Sequence, residues 1–208
     1  MEPGHLRRVK KSKLIVVGIT GIFGSGKTTA ACIFKKEGIP CFSLDAIVHA
    51  LFKKTEIIEK IKELFGEDII KRGRPDRKAI AKIVFTDRML RKKLEDVIHP
   101  HVFDRFKKII FDYNRKGGII VFEIPLLFET KSESFFDKII VVSASHDKIL
   151  SRLKEKFSSE DINNRLAAQT PLREKEKKAT YVIFNSGSIC KTTAQVKQII
   201  KELRNELI

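Results

Sequence analysis

The chain has 208 residues, a length that favours one domain with an embedded subdomain or two small domains. Hydrophobic residues make up 42% and charged residues 33%, as in ordinary globular proteins, which argues against a mainly disordered chain. The net charge of +16 predicts attraction to anions, which include nucleic acid, anionic membranes and phosphorylated metabolites. Charge alone does not choose among them.

Uncharged segments long enough for membrane insertion or secretion do not occur in the sequence. A membrane-spanning helix needs roughly 18 to 20 apolar residues, whereas Leu14 to Val17 is typical of the short apolar runs here. The basic residues 1–13 lead into a glycine-rich segment rather than the apolar core of a signal peptide, so we expect a cytoplasmic protein with a basic N-terminal extension. The three cysteines are widely spaced and odd in number, which predicts neither a disulfide framework nor a zinc site.

Short apolar segments alternate with helical patterns along the chain, as in an α/β fold with a parallel sheet. Leu14 to Ile19 is typical of a strand buried on both faces, and residues 28–36 follow as a helix that Gly38 and Pro40 end. Further strands are predicted at 39–44, 119–123, 138–142 and 181–184. A last helix at 193–207 is predicted to bury Val196, Ile199, Ile200 and Leu203.

Two helical regions interrupt this alternation. Residues 46–117 contain no strand candidate and predict a helical insertion, in which one helix includes Met89 and Ile98 on its apolar face and Pro100 starts a second. Residues 147–170 predict a helix pair with the composition of a small mobile lid. The predicted single domain, 14–208, therefore has a core of residues 14–45, 118–146 and 171–208, an insertion at 46–117 and a lid at 147–170.

The segment Gly21-Ile-Phe-Gly24-Ser25-Gly26-Lys27-Thr28 satisfies the phosphate-loop motif GxxxxGK[ST], and it lies between a predicted strand and a predicted helix, as that motif requires. Its glycines let successive backbone N–H groups point at a triphosphate, and the N-terminus of the next helix adds partial positive charge. Lys27 would neutralise the β and γ phosphates, Thr28 would coordinate Mg²⁺ and Thr29 would donate toward the α phosphate. The motif predicts binding of a nucleoside triphosphate.

A phosphate loop leaves GTPases, ATPase motors and small-molecule kinases open. No NKxD guanine motif occurs, and no apolar strand ends in the aspartate of a motor, so the first two classes lose weight. Asp45 follows the second strand at the predicted ligand edge, where it is suited to take the proton of an acceptor hydroxyl, unless it merely caps the helix that begins at Ala46. Glu123 either acts near Mg²⁺ or the acceptor, or ends its strand and pairs with a cation. His99 and His101 lack nearby acidic or cysteine partners, so we predict no metal site there.

Several segments occur in an order that resembles the dephospho-coenzyme A kinase family, from about Leu14 to Asn185. The segments are Gly18-Ile-Thr-Gly21 before the loop, Asp45-Ala-Ile-Val-His-Ala50, Asp76-Arg77 with Ile83-Val-Phe85 and Asp87, His99-Pro100, Glu123-Ile-Pro-Leu-Leu-Phe-Glu129, Arg165 with Gln169, and Ala179 through Asn185. Apart from the phosphate loop no single piece is specific, and their joint order carries the resemblance.

The resemblance implies a phosphate-loop kinase fold with a five-stranded parallel sheet in the order 2-3-1-4-5. It implies transfer of the γ phosphoryl group of ATP, with Mg²⁺, to the ribose 3′-hydroxyl of dephospho-coenzyme A, the last step of coenzyme A synthesis. Asp45 would be the general base, while Lys27 and Arg152 would stabilise the transferred charge; the bland alternative for Arg152 is a solvated helix charge. The implied ATP contacts are Gly24, Ser25, Gly26, Lys27, Thr28, Thr29, Arg152 and the region of Asn185, and the implied acceptor contacts are Asp45, Arg77, His99 and Pro125.

Three positions depart from the family pattern. Ser43 stands where an aspartate usually precedes Asp45, Lys156 where the lid carries a second arginine, and Thr180 where an aspartate is usual. Lysine is a point charge that cannot bind phosphate bidentately, so weaker lid closure is expected.

Two rival functions remain open at this point. One is a kinase of another small acceptor, such as a nucleoside or a nucleoside monophosphate. The other is a nucleotide-dependent nucleic-acid binder, which the charge of +16 motivates but no aromatic-rich RNA motif supports. Residues 51–118 carry nineteen Lys and Arg against eleven Asp and Glu, a charge that suits a pyrophosphate-bearing acceptor. We therefore expect ATP and dephospho-coenzyme A as partners, no nucleic acid or membrane, and a monomer.

Overall fold

The computed structural model describes residues 13–208, with every side chain in that range except that of Phe85. Of the predicted extension 1–13, only Lys13 falls within the described residues, and its Nζ donates to the carbonyl of Glu206 at 2.8 Å. The described chain forms two compact units, one of residues 13–42 and 111–208, the other of residues 43–110.

Seven strands and nine helices are present in the described residues. The strands are β1 (Leu14–Thr20), β2 (Cys41–Ser43), β3 (Ile70–Lys71), β4 (Arg74–Pro75), β5 (Gly118–Glu123), β6 (Lys138–Ser143) and β7 (Tyr181–Phe184). The helices are α1 (Lys27–Lys36), α2 (Leu44–Leu51), α3 (Thr55–Phe65), α4 (Arg77–Thr86), α5 (Arg88–Asn114), α6 (His146–Leu153), α7 (Ser159–Ala167), α8 (Leu172–Lys177) and α9 (Ile189–Asn205). Short 3-10 helices occupy Glu67–Ile69 and Glu133–Phe135.

The five-stranded sheet has the order β2-β5-β1-β6-β7, which confirms the predicted parallel sheet and its order. Strand β1 lies at its centre and pairs in parallel with β5 and β6. The register sets Ile19 opposite Glu123, so the carboxyl end of β5 lies beside the start of the phosphate loop. The central strand thus delivers the loop to the edge at which α/β proteins bind ligands.

An apolar cluster fixes both ends of the phosphate loop. Alternate residues of β1 pack with α1 and α9, as the period-2 pattern of the strand and the i, i+3, i+4 pattern of the helices require. The cluster includes Ile15, Val17, Ile19, Ala30, Ile33, Phe34, Val196, Ile199, Ile200 and Leu203, all buried. Each large side chain contributes about 1.5–3 kcal/mol on burial, which makes the strand and helix that flank the loop a rigid support.

The second unit corrects the prediction that residues 46–117 contain no strand. Strands β3 and β4 form a small antiparallel hairpin. Its two turn residues, Arg72 and Gly73, both have positive φ, at 52° and 73°. This is the backbone that a two-residue hairpin turn demands, and Gly73 was the signal for it in the sequence.

The prediction that Pro100 starts a helix is also wrong, because Pro100 lies inside the single helix α5. Ile98 before the proline and Phe106 and Ile109 after it are buried on α5. This burial on both sides offsets the roughly 3 kcal/mol that an interior proline costs. Met89, which was predicted to join the apolar face, is 71% exposed.

Among residues 13–208, none of the helices combines the length and apolarity that crossing a bilayer takes.

The three cysteines are free thiols. Cys32 and Cys190 are exposed, and Cys41 is partly buried with its Sγ donating to the carbonyl of Ile39 at 3.4 Å. Burial, with the nearby Cys32 thiol adding to it, raises the pKa of Cys41 to about 12.

Candidate active site

The phosphate loop connects β1 to α1, and the conformation of its turn depends on Gly24 and Gly26 among its glycines. Gly24 and Gly26 have φ of +79° and +95°, a region that other residues rarely adopt. A Cβ at Gly24 would lie 2.9 Å from Cδ1 of Leu153, and one at Gly26 would collide with Nδ2 of Asn185. Both glycines therefore allow the turn and admit neighbouring side chains against the loop.

Side chains from outside hold the loop's carbonyl groups. Nη1 of Arg152 donates to the carbonyls of Gly24 and Ser25, both at 3.2 Å, and Nδ2 of Asn185 donates to the carbonyl of Ser25 at 2.9 Å. In a trans peptide the C=O and the following N–H point in opposite directions. Fixing the Ser25 carbonyl outward therefore turns the Gly26 N–H toward the other side, where a phosphate would bind.

The N-terminus of α1, the helix that follows the loop, is suited to bind an anion. Helix α1 lacks a side-chain cap among the described residues, as α3, α6 and α8 do, whereas Ser43, Asp76, Ser158 and Ser188 cap α2, α4, α7 and α9. Its first N–H groups and its dipole therefore favour a negative group. Nζ of Lys27 donates to the carbonyls of Gly21 at 3.1 Å and Ile22 at 3.0 Å, which places its charge over the loop.

Thr28 and Glu123 meet at the mouth of this loop. The Thr28 hydroxyl donates to Oε1 of Glu123 at 2.7 Å. Glu123 ends strand β5, as one of its two predicted roles has it, but its described partner is a hydroxyl and not a cation. Its predicted action near Mg²⁺ or the acceptor stays a prediction. Because the hydroxyl proton points to the carboxylate, the oxygen lone pairs of Thr28 are left for another ligand.

Asn185 is a buried junction behind the loop. Its side chain, 4% exposed, also accepts from Oγ1 of Thr192 on α9 at 3.0 Å. Its backbone N–H donates to Ser143 at 2.7 Å, and its carbonyl accepts from Nη2 of Arg152 at 2.6 Å. The predicted nucleotide contact near Asn185 stays a prediction, and the described contacts give this residue a supporting role.

Helices α6 and α7, which span most of the predicted lid, pack against the loop at Ile22 and Phe23. Ile22 and Phe23 join an apolar cluster with Ile149 and Ile162 of these helices. The Phe23 N–H donates to Oε1 of Gln169 at 2.7 Å. The guanidinium of Arg165 lies over the Phe23 ring at 5.1 Å and over the Phe157 ring at 4.8 Å. Sequence reasoning quoted Arg165 and Gln169 only as family positions.

A buried ion pair of Lys175 with Glu129 contacts Thr170, the residue that follows Gln169. Nζ of Lys175 is 2.8 Å from Oε1 of Glu129, and the Lys175 side chain is fully buried. The same Oε1 accepts from the Thr170 N–H at 2.8 Å. Burial acts to raise the pKa of the Glu129 carboxyl, but the hydrogen bonds from Lys175 and the backbone outweigh it and leave the pKa below its usual range. Sequence reasoning missed Lys175, because it stands in the highly charged run of α8 that resembles a surface helix.

The second unit holds three of the four predicted acceptor contacts. Asp45 is exposed in the first turn of α2, and the cap of that helix is Ser43, whose Oγ accepts from the Ala46 N–H at 3.3 Å. Arg77 begins α4 with its guanidinium 5.9 Å from the ring centre of Phe52. His99 is exposed on α5. These three stay predictions.

Pro125 and the remaining departures from the family pattern belong to the first unit. The carbonyl of Pro125 accepts from Oγ1 of Thr20 at 3.4 Å. Thr180 extends the pairing of β6 with β7, because its N–H donates to the Ile139 carbonyl at 2.8 Å and its hydroxyl accepts from the Ile139 N–H at 3.1 Å. Lys156 is exposed in the link after α6.

Comparisons with known proteins agree with one another. The profile of the dephospho-CoA kinase family matches residues 15–191. The dephospho-CoA kinase of Aquifex aeolicus is 35% identical over 193 residues, which cover 91% of this chain and 98% of that protein. Among solved structures, TT1252 from Thermus thermophilus has a TM-score of 0.82 at 34% identity, covering 92% and 98% of the two chains. The dephospho-CoA kinase from Campylobacter jejuni has a TM-score of 0.70 at 28% identity, covering 93% and 98%.

The parallel sheet and its phosphate loop, with the uncapped α1 and Lys27 above it, define a phosphate-loop kinase that uses ATP as co-substrate. The chain belongs to the dephospho-CoA kinase family, whose reaction is the final step of coenzyme A biosynthesis. These relatives confirm the prediction of family and enzyme class and do not favour the alternative nucleoside or nucleoside monophosphate kinase.

Proposed function

We propose that this chain transfers the γ phosphoryl group of ATP to the ribose 3′-hydroxyl of dephospho-coenzyme A, giving coenzyme A and ADP. The observation that carries the proposal is the phosphate loop, whose carbonyls are held outward by Arg152 and Asn185 while α1 presents uncapped N–H groups. Catalysis of phosphoryl transfer consists mainly of positioning and electrostatic stabilisation, and a preformed loop supplies both.

ATP would bind through the backbone of Gly24, Ser25, Gly26 and Lys27 and the hydroxyls of Thr28 and Thr29. Lys27 would exchange its contacts with the carbonyls of Gly21 and Ile22 for phosphate oxygens, which carry full charge and bind an ammonium group more strongly. Arg152 lies on the side of the outward carbonyls, and from there its positive charge would act on the phosphates as the transferred group acquires charge.

The oxygens of Thr28 and Glu123 fit a magnesium ion, which prefers hard oxygen ligands and keeps several waters. In the part of the chain that the structure describes, no cluster of three or more His, Cys, Asp or Glu residues could hold a metal. That composition fits an ion held by Thr28, by the phosphates and by water that Glu123 would orient. When bound, the ion would neutralise charge on the β and γ phosphates.

Asp45 would orient the 3′-hydroxyl and accept its proton as the oxygen attacks the γ phosphorus. Its position in the first turn of α2 leaves the carboxylate exposed and able to meet a ligand. Arg77, His99 and Pro125 would contact the acceptor, and the positive charge of the helical segment would attract the pyrophosphate of dephospho-coenzyme A. The protein would work as a cytoplasmic monomer that binds no nucleic acid.

The decisive experiment is an acceptor panel. The purified protein is incubated with Mg-ATP and, separately, dephospho-coenzyme A, adenosine and AMP, and the products are weighed and the phosphorylated position assigned by ³¹P NMR. We expect one added phosphate, on the ribose 3′-oxygen of dephospho-coenzyme A. Preferential phosphorylation of adenosine or AMP would instead establish the alternative kinase, and size-exclusion chromatography with light scattering tests the monomer.

A further inference from the structure

The peptide group between Ile22 and Phe23 is held from both of its sides. On one side, the Ile22 carbonyl accepts from Nζ of Lys27 at 3.0 Å and from the Ser25 N–H at 3.2 Å. On the other, the Phe23 N–H donates to Oε1 of Gln169 at 2.7 Å. Since the peptide is planar and trans, fixing the direction of its N–H fixes the direction of its C=O. Gln169 thereby sets the orientation of a carbonyl on which Lys27 rests.

Gln169 is itself well anchored. The next residue, Thr170, donates its N–H to Glu129, and the buried Lys175 holds that carboxylate in place. One helical turn before Gln169, Arg165 lies against the ring of Phe23. Arg165 in the last turn of α7 and Gln169 just after the helix therefore contact Phe23 at its ring and at its N–H, and neither contact reaches a reacting atom.

We propose that Gln169 is a positioning residue for the phosphate loop: it holds the Ile22–Phe23 peptide with its carbonyl toward Lys27, so that the loop is formed before ATP arrives. Without the acceptor at residue 169 this peptide is held on its carbonyl side alone, and a smaller fraction of the molecules has the competent loop. The apparent dissociation constant for ATP then rises by the reciprocal of that fraction. This inference rests on the proposed function for its kinetic meaning, but not for its effect on nucleotide binding.

The test compares Gln169→Met, which keeps the length and removes the acceptor oxygen, with Gln169→Glu, which keeps an oxygen of the same reach. Gln198→Ala on α9 is the matched control, because the described hydrogen bond of that side chain is with Glu202 on the protein surface. Calorimetry with Mg²⁺ and a non-hydrolysable ATP analogue should show about a fivefold weaker binding for Gln169→Met, equivalent to about 1 kcal/mol, and recovery in Gln169→Glu. The KM for ATP should rise by the same factor, with kcat and the KM for the acceptor unchanged.

Hydrogen exchange of the Phe23 amide gives a second readout, and we expect it to be protected in the wild type and at least about fivefold faster in Gln169→Met. Unchanged nucleotide binding in Gln169→Met would overturn the proposal, as would equal losses in Gln169→Met and Gln169→Glu or a similar loss in Gln198→Ala. Should Gln169→Met fail to fold, an unprotected Phe23 amide in the wild type would overturn it as well. A protein that binds the analogue as expected but leaves dephospho-coenzyme A unmodified would refute the proposed function and not this inference.

Discussion

The phosphate loop and the 43–110 unit are held together by different kinds of polar contact. Around the loop, the contacts join residues far apart in sequence: Phe23 and Gln169 are 146 positions apart, and Ser25 and Asn185 are 160. In the 43–110 unit, most described contacts are local, such as the Asp76 cap at Lys78 and the ion pair of Lys92 with Asp96. The contact of His101 with Glu56, 3.6 Å apart, and that of Arg77 with the Phe52 ring are longer-range exceptions.

This difference indicates where the protein is organised before substrate binds. Long-range hydrogen bonds, buried or partly buried, fix the loop's peptide planes, so the entropy of ordering that site is lost on folding rather than on ATP binding. The exposed, locally bonded side chains of the 43–110 unit keep their rotamer freedom. We therefore expect changes near the loop to alter ATP binding, and changes in the other unit to alter the acceptor step.

Of the substitutions considered, Lys27→Ala should reduce the activity of the enzyme most. It removes the charge over the phosphates and the contacts to Gly21 and Ile22, and we expect kcat to fall by about 10³-fold or more, with weaker ATP binding. A coupled assay for ADP release measures this. Lys36→Ala, at the exposed end of the same helix, should keep wild-type turnover; a Lys27→Ala enzyme that also keeps it would remove Lys27 from catalysis.

Asp45→Asn tests the 43–110 unit, where we expect substitutions to alter the acceptor step. Because the amide cannot take a proton, kcat should fall by about 10²- to 10⁴-fold, while the dissociation constant for ATP stays unchanged. Single-turnover kinetics and calorimetry separate the two quantities. Asp104→Asn, an exposed change on α5, is the control, and wild-type kcat in Asp45→Asn would exclude Asp45 as the base.

Glu129→Gln removes one partner of a long-range ion pair. It leaves the Lys175 charge buried and unpaired, which should lower the free energy of unfolding by about 3–5 kcal/mol at neutral pH. Since folding lowers the pKa of Glu129, the wild type has the full stabilisation above the unfolded carboxyl pKa of about 4.3 and loses it as the pH falls through the folded value. Urea unfolding should therefore show the two proteins converging in acid.

The control for that prediction is Glu155→Gln, an exposed carboxylate in the link after α6. It should unfold like the wild type at every pH. A stability difference between Glu129→Gln and the wild type that persists undiminished at low pH would contradict the role given to the ionised carboxylate.

Ser43→Ala should have the smallest effect, because it removes a single local cap. Loss of the hydrogen bond to the Ala46 N–H is expected to lower the free energy of unfolding by about 1 kcal/mol. Ser43→Asp offers another acceptor at the cap and should keep the wild-type stability in the same urea titration. If Ser43→Ala cost as much as Glu129→Gln, the distinction between local and long-range contacts would fail.

The parts of the fold that could be predicted from the sequence are those that short, continuous segments specify. The phosphate loop is one continuous segment, and the five strands of the parallel sheet lie in apolar segments, so both followed from neighbouring residues. The errors arose where tertiary packing prevails over local preference, as at Pro100 in α5, or where the turn signal was short, as at Gly73.

The contacts that support the site could not be predicted from the sequence, for a different reason. A glutamine at position 169 has no periodicity or spacing that points to the Phe23 amide, and nothing in the charged segment around Lys175 marks one lysine as buried. Such contacts depend on how separate helices pack, which a single sequence without the fold does not specify.

The state of Cys41 has a practical consequence for studying the enzyme. With its pKa at about 12, this thiol stays protonated in any usual buffer and reacts slowly with maleimides, since the thiolate is the nucleophile. Labelling therefore falls on the exposed Cys32 and Cys190. Replacing Cys190 by serine leaves Cys32 as the exposed thiol for a fluorophore. Cys32 lies on α1, which begins at the phosphate loop, so the fluorescence of the label offers a way to measure nucleotide binding.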